Sequence, residues 1–295
     1  HLQTALDIFE PPYNTPGTQQ QHWGIFLGFR FNPSTQNQFI SGVDNVQIKN
    51  NIISHCSHGI HFYNNQNITV EGNQIYDMSL GFGAPDVYSG GKGIAVYNTE
   101  DDNTVGNYTI KGNYIYECEF AGIVLDVNGT EDWVNLTGSS IEGNYIHDNV
   151  GDLGAWGGIY AGLKGGFGIR GWHQVQGLNI KGNKIYNHRS IDDSYPYIGG
   201  IRINGTKDLL VDGNEIYNNE RGIYLGAGIT DSPGVTGNEI YGNDYGIYIN
   251  TGTISNVEIN NNQITNNSLY GVYNESTTFI DATSTWWGHL TGPTA

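Results

Sequence analysis

Basic residues are scarce in this chain. Twelve lysines and arginines stand against 29 aspartates and glutamates, a formal net charge of −17 over 295 residues. That balance repels phosphate backbones and anionic surfaces, so neither nucleic acid nor an anionic membrane is an expected partner. No apolar run reaches the roughly 20 residues a spanning helix needs, so membrane insertion is not expected. No signal peptide stands at the front of the chain, and an exported protein would have shed one. No window carries apolar residues at spacings of three and four over a helix's length, which argues against helices. Cysteine occurs only twice, at Cys56 and Cys118. Little lysine beside much asparagine, glycine and tyrosine fits a secreted, extracellular or cell-surface protein.

Glycine is abundant, at 43 residues, and tyrosine reaches 20. Both are organised by one phrase, clearest in LNIKGNKIYN, Leu178 to Asn187. Its asparagine recurs at Asn51, Asn73, Asn113, Asn144, Asn183, Asn214, Asn238 and Asn262. A Gly-Ile or Gly-Val pair follows each, beginning at Gly59, Gly93, Gly122, Gly158, Gly200, Gly222, Gly246 and Gly271, and Gly24-Ile25 starts one more copy. From Asn51 to Asn73 is 22 residues, and from Asn214 to Asn238 and on to Asn262 is 24 each. A period of that size means a solenoid. Around Ile180, Ile185 and Ile201 the apolar residues alternate in short runs between turn residues, which makes three strands per repeat. Each repeat is then one coil of a parallel β-helix, stacked about 4.8 Å from the next. About nine coils are expected, in a single domain from 23 to 295. Residues 1–22, with Pro11, Pro12 and Pro16 and no repeat, form an expected cap over the first coil's edge.

The phrase resembles the PbH1 repeat of right-handed parallel β-helix proteins, the pectate-lyase-like superfamily. The closing stretch IDATSTWWGHLTGP, Ile280 to Pro293, is similar to the end of many secreted repeat proteins of this type. The resemblance spans residues 24 to 293 and implies an all-β, right-handed, single-stranded parallel β-helix. It leaves activity open, because the superfamily holds pectate and alginate lyases, glycoside hydrolases, epimerases, phage tailspikes and adhesins. The Asp-Pro-His motif of alginate epimerases is absent from this chain.

The inward positions of the Gly-Ile strands are apolar, for example Ile94, Val96, Ile201 and Ile203. Alternation then gives the outward rows. One reads Phe26, His61, Ala95, Val124, Tyr160, Arg202, Tyr224, Tyr248, Tyr273, and the next Tyr63, Tyr97, Asp126, Gly162, Asn204, Gly226, Asn250. Long insertions, 79–92, 127–138, 149–157, 163–177 and 188–199, all adjoin the ends of these strands, and insertions map to a binding face. In the resembling enzymes that face carries the substrate groove. Trp133, Trp156 and Trp172 lie in the insertions and can stack on sugars or pin their loops. His61, Tyr97, Tyr224 and Tyr248, with Arg170 and His188, complete the expected sugar contacts. Tyr76, Tyr116, Tyr186, Tyr217 and Tyr241 follow their strand isoleucines and are expected to stack outward on another face, as packing. The turn asparagines are expected to form a structural ladder of amides.

Asp77, Glu117 and Asp148 share one place in successive repeats, with Glu119 and Asp126 nearby. Stacked carboxylates repel unless something compensates. Asp77, Glu117, Glu119 and Asp148 are therefore candidate Ca²⁺ ligands, although aspartate also substitutes freely for asparagine in a solvated turn. The resemblance to lyases implies a further arrangement, in which a cation neutralises a uronate carboxylate while a base removes the C5 proton. Arg202 and Lys164 are the candidates, with Tyr160 or His188 as proton donor. A hydrolase would instead use two carboxylates from Asp126, Glu117, Glu119, Asp148 and Asp152. Cleavage of a polysaccharide by elimination or hydrolysis, by a monomer, is the expected function. Non-catalytic carbohydrate binding or adhesion is the alternative. A third reading has His1 as a mature N-terminus chelating copper through its amine and ring. Cys56 and Cys118 each follow a strand isoleucine by three residues, which places them two coils and about 9–10 Å apart. That exceeds the span of a disulfide, so two free thiols are expected.

Overall fold

In a computed structural model the repeats wind into a right-handed parallel β-helix of nine coils. The structure describes residues 23–27, 30–31, 39–40, 44–63, 65–79, 91–98, 106–127, 133–149, 157–163, 174–189, 198–231, 233–252 and 254–289. Among these, all regular structure is strand. The first sheet joins nine parallel strands in chain order: Trp23–Leu27, His58–Tyr63, Lys92–Asn98, Ala121–Val127, Gly157–Leu163, Ile201–Ile203, Arg221–Leu225, Tyr245–Ile249 and Tyr270–Asn274. The second sheet has eight strands, from Gln47–Lys49 to Glu258–Asn260, and the third has eight, from Ile52–Cys56 to Gln263–Thr265. A smaller three-stranded sheet, Trp133–Asn135, Gln174–Gln176 and Thr206–Lys207, widens the middle coils after the first sheet. The expected cap at 1–22 lies outside the described residues.

The repeat phrase explains each corner. Between the second and third sheets the chain turns on Gly-Asn. At Gly182 the backbone is left-handed, with φ at 61°, a region costly for residues with a Cβ. The following asparagine is buried and ties neighbouring coils together. Asn183 Oδ1 accepts from Asn144 N at 2.9 Å, and Asn183 N in turn donates to Asn214 Oδ1 at 2.9 Å. The same bond runs from Asn51 to Asn262 without a gap. The third corner leads into the first sheet through the Gly of Gly-Ile. A Cβ at Gly93 would lie 2.6 Å from Ile115 Cγ2 of the next coil's third-sheet strand and 2.6 Å from Gly122 O. No side chain fits there, because backbone sits on one side and the core on the other. Inside, stacked isoleucines such as Ile75, Ile115, Ile146, Ile185, Ile216 and Ile240 are fully buried, each worth about 2–3 kcal/mol of apolar transfer at most.

A second ladder runs beside the first, three residues after the third-sheet isoleucine. That position reads Cys56, Met78, Cys118, Asn149, His188, Asn219, Asn243, Asn267 along the axis. Cys56 pairs in register with Met78, and Met78 with Cys118. The cysteines are thus two coils apart with a methionine between them, and both are free thiols. From Asn149 onward the position carries amides, interrupted once by His188. Cys118 N donates to Asn149 Oδ1 at 2.9 Å, His188 N to Asn219 Oδ1 at 3.0 Å, Asn219 N to Asn243 Oδ1 at 2.9 Å and Asn243 N to Asn267 Oδ1 at 3.1 Å.

Candidate functional site

The first sheet's outward face is built in the expected register. Phe26, His61, Ala95, Val124, Tyr160, Arg202, Tyr224, Tyr248 and Tyr273 pair in sequence from coil to coil, and Tyr63, Tyr97, Asp126 and Gly162 form the next row. Beside them lies a row that alternation misses. The corner glycine turns inward, so the residue before it is carried outward to meet the residue three further on. His58 packs on His61 with ring centroids 5.1 Å apart, Tyr245 on Tyr248 at 5.2 Å and Tyr270 on Tyr273 at 4.9 Å. This leading row contributes His58, Lys92, Arg221, Tyr245 and Tyr270. A charged or aromatic residue directly before six of the nine Gly-Ile or Gly-Val pairs was its signal in the sequence, with Ala121, Gly157 and Gly199 before the other three.

Cations gather on this face of an acidic protein. Lys92, Arg202 and Arg221 are 2 %, 4 % and 7 % exposed. Lys92 Nζ lies 4.9 Å from the centre of the Phe120 ring, and the Arg202 guanidinium lies 5.5 Å from that of Tyr224. Arg221 lies 4.8 Å from the Tyr248 ring and 5.3 Å from Tyr245, and pairs with the adjacent Glu220. Such contacts hold a desolvated cation at about 1–2 kcal/mol each. Burial, and then the Lys92 charge, push His61 down to about 3, and the same two causes lower His58. Both rings are therefore neutral at pH 7, as polar groups beside Lys92. Asn250 Nδ2 donates to the Tyr224 phenol at 2.6 Å. Burial first, and a bond to Glu275 next, raise the Tyr248 phenol. Toward the C-terminal coils the face opens, and Tyr270 is half-exposed.

Several expected site residues fall elsewhere. His188 occupies an asparagine position of the second ladder, fully buried, with Nε2 3.2 Å from Ile146 O and Nδ1 3.4 Å from Asn149 O. It holds coils together and does not reach a substrate. Asp77 and Glu117 lie within the third-sheet strands Gln74–Met78 and Tyr114–Cys118, and Asp148 directly follows Tyr145–His147; none is on the first sheet. Their backbones are left-handed, with φ of 56°, 53° and 51°, as are those of Asn187 and Asn218 in the same place. Aspartate and asparagine tolerate that conformation, which accounts for the row except at Glu117. Asp77 accepts from His55 Nε2 at 3.1 Å, and Asp148 lies 2.6 Å from His147 Nδ1. Among the described residues no three of His, Cys, Asp and Glu gather around a point that could hold a metal. Asp77, Glu117, Glu119 and Asp148 are all among those described residues. His1, Asp152, Trp156, Lys164, Arg170 and Trp172 lie outside the described residues. For Tyr97, Asp126, Trp133 and Tyr160 the backbone position is described, not the side chain.

The tyrosines of the third sheet stack as expected, with one addition. Tyr76, Tyr116, His147, Tyr186, Tyr217 and Tyr241 form a continuous pile with centroids 4.8–5.2 Å apart and planes within 9°.

Nine parallel coils with two amide ladders, and one irregular face of cations and tyrosines, define a parallel β-helix solenoid with a single differentiated sheet. The chain belongs to the right-handed β-helix family, whose model matches residues 29–162 and 159–285. A search of curated protein sequences finds no match. Among solved structures it is similar to the periplasmic alginate epimerase AlgG, with a TM-score of 0.59 and 15 % identity over 82 % of this chain and 50 % of that one. It is also similar to the A-modules of two Azotobacter vinelandii mannuronan C-5 epimerases. For AlgE6 the TM-score is 0.53 with 14 % identity over 91 % and 68 % of the two chains, and for AlgE4 it is 0.50 with 13 % over 84 % and 65 %. At these identities the likeness is one of fold. The chain spans about half the length of AlgG.

Proposed function

We propose that the protein acts outside the cell on a carboxylated polysaccharide, held along the outward face of the first sheet, and cleaves it by elimination. The observation that carries this reading is the set Lys92, Arg202 and Arg221, interleaved with tyrosines on one face of a chain whose net charge is −17. Guanidinium forks match carboxylates in geometry and charge, and aromatic rings match the apolar faces of sugars. That the similar solved structures are named as alginate and mannuronan epimerases is in keeping with a uronate chain.

Elimination starts at the carbon beside the carboxylate. Pairing the carboxylate with Arg202 lowers the cost of the negative charge that develops when a base takes the C5 proton. The electron pair then forms the C4–C5 double bond, the C4–O bond to the neighbouring sugar breaks, and the leaving oxygen takes a proton. Tyr160, adjacent to Arg202 in register, and Lys164, just beyond that strand, are the proton-transfer candidates. Hydrolysis needs two carboxylates flanking the bond; the first-sheet strands contain one acid, Asp126, and the acids at their ends, Glu220 and Glu275, are engaged by Arg221 and Tyr248. Epimerisation shares the first step, but the Asp-Pro-His motif is absent.

A second reading is non-catalytic carbohydrate binding. It is favoured by the small exposure of Arg202 and Tyr224, which leaves the tyrosines of the last two coils as the open part of the face.

The test is turnover on uronate-containing and neutral polysaccharides, reading reducing ends together with the ultraviolet absorbance of unsaturated uronates. Both signals are expected to rise on a uronate chain. Arg202→Ala should lower kcat/KM at least about 100-fold, the ~3 kcal/mol of a charge-assisted bond, with Arg202→Lys in between. Full activity of Arg202→Ala, or equal cleavage of neutral chains, would sink the assignment. Retention on a uronate gel without either signal would transfer it to the binding reading.

A further inference from the structure

The C-terminal segment closes the solenoid with two adjacent tryptophans that do different things. Its backbone bridges the last strands of two sheets, Asp281 to Glu258 and Trp286 to Gln263. Trp287 turns inward, packs against the core and covers Gly271, where a Cβ would lie 3.3 Å from its Cζ3. Closing the core uses that ring. Trp286 turns outward, 45 % exposed, on the corner between the second and third sheets.

Next to Trp286 a cavity of about 400 Å³ opens, lined also by Gly237, Glu239, Asn261, Gln263 and Ser284. Asn261 stands where the neighbouring coils have the turn glycine, such as Gly213 and Gly237, and keeps the left-handed backbone with φ at 56°. That substitution adds an amide to the cavity. The internal bonds here are long: Gln263 Nε2 to Glu239 Oε1 is 3.3 Å and Asn261 Nδ2 to Asn260 Oδ1 is 3.3 Å. Each amide retains a second N–H, and the Glu239 carboxylate retains lone pairs. One indole face, two amides, a hydroxyl and a carboxylate around a volume of this size suit one or two pyranose rings. None of the lining residues is cationic, so the chemistry disfavours an anionic sugar.

We propose that this corner is a binding site for neutral pyranose units of a polysaccharide, separate from the first-sheet face and independent of whatever that face does. It would anchor the protein to an uncharged glycan.

The experiment follows the indole N–H resonances of the protein by ¹H–¹⁵N NMR during titration with neutral trisaccharides built from glucose, mannose, galactose, xylose and N-acetylglucosamine. The chain has six tryptophans, and the peak missing from Trp286→Phe identifies Trp286. That peak is expected to move in a saturable way with at least one sugar. Trp286→Ala should weaken binding at least tenfold and Gln263→Ala severalfold, both with unchanged melting, while Phe279→Ala, exposed elsewhere on the C-terminal segment, should bind as the parent does. If no sugar moves the Trp286 peak, or if a different indole responds alone, the site is refuted. If Trp286→Ala proves unstable, undiminished binding by Gln263→Ala together with Trp286→Phe refutes it equally.

Discussion

Asn183→Ala should cost about 4 kcal/mol of stability, and the sum can be made from the bonds it removes. The Asn183 side chain is 1 % exposed and takes part in four hydrogen bonds. Its Oδ1 accepts from Asn144 N and Asn144 Nδ2, and its Nδ2 donates to Ile141 O and Asn214 Oδ1, all at 2.9 Å. At roughly 1 kcal/mol net per bond, four bonds give about 4 kcal/mol. Counting orphans gives the same figure. Asn144 Nδ2 keeps its bond to Ile110 O, and Asn214 Oδ1 keeps the Asn183 N–H. The Asn144 N–H and the Ile141 carbonyl lose this partner in a dry interior, at about 1–3 kcal/mol each. Asn183→Asp keeps both accepted bonds but sets a carboxylate against the Ile141 and Asn214 oxygens. It should therefore be at least as damaging at neutral pH and recover partly on acidification, when the acid regains a donor. The assay is urea unfolding of the two variants and the parent, with hydrogen exchange of the Asn144 amide as a local reading. A loss below about 1 kcal/mol for Asn183→Ala, with Asn144 still protected, would refute the view that the ladder binds coil to coil.

Three other outcomes are expected. His188 is fully buried, and burial pushes it down to about 4, with Asp148 and His147 as the nearest charges; an unfolded histidine sits near 6.5. The unfolded chain therefore binds a proton between those values that the folded chain does not, so this residue makes stability fall as pH falls from 6.5 to 4, by about 1.4 kcal/mol per pH unit. His188→Asn should remove that slope and leave stability at pH 7 unchanged or higher, and a parallel pH dependence of the parent and variant in urea unfolding would contradict this. Gly93→Ala puts a methyl 2.6 Å from backbone and core atoms and should cost about 1–3 kcal/mol, seen as a lowered thermal midpoint. Reduction should leave the intact mass unchanged, and Cys118, whose thiol burial pushes up, should resist alkylation until unfolding, whereas Cys56 is half-buried.

The fold was legible because its period is written in residues with strict backbone duties. Gly182-Asn183 and its copies mark a left-handed turn and a ladder, and the isoleucines mark the core. The second ladder was not legible, although its position had been singled out through the cysteines. That position carries sulfur residues as far as Cys118, then Asn149, His188 and three further asparagines, so no single residue type repeats through it. The outward row from His61 to Tyr273 could be read by counting from the isoleucine. The leading row could not, because the inward corner glycine breaks the alternation between Lys92 and Ile94 or between Arg221 and Ile223. The acids at Asp77 and Asp148 misled for a related reason. A left-handed φ selects small polar side chains, and in a list of residues that selection is indistinguishable from a cluster of carboxylates. His188 likewise looked like a catalytic group because ring chemistry is visible in sequence and burial is not.

Regularity along a solenoid axis separates structural from differentiated surfaces. On the third sheet the rings from Tyr76 to Tyr241 lie nearly parallel, and each covers its neighbour's face. Only edges remain for solvent, so this long aromatic pile offers no flat platform to a sugar and is accounted for by packing. The first sheet is less regular: Tyr224 stacks on Tyr248 and Tyr245 on Tyr270 within 18° from coil to coil, but the other ring pairs are tilted. Tyr245 meets Tyr248 at 81° and Tyr273 at 59°, and Tyr248 and Tyr270 each meet Tyr273 at 42°. Rings at those angles leave faces uncovered, beside Arg221 and one coil beyond the Arg202–Tyr224 pair. The first sheet is therefore the surface on which the chain departs most from its own repeat, and under the proposed function its open, tyrosine-lined end is where a polymer would first be held.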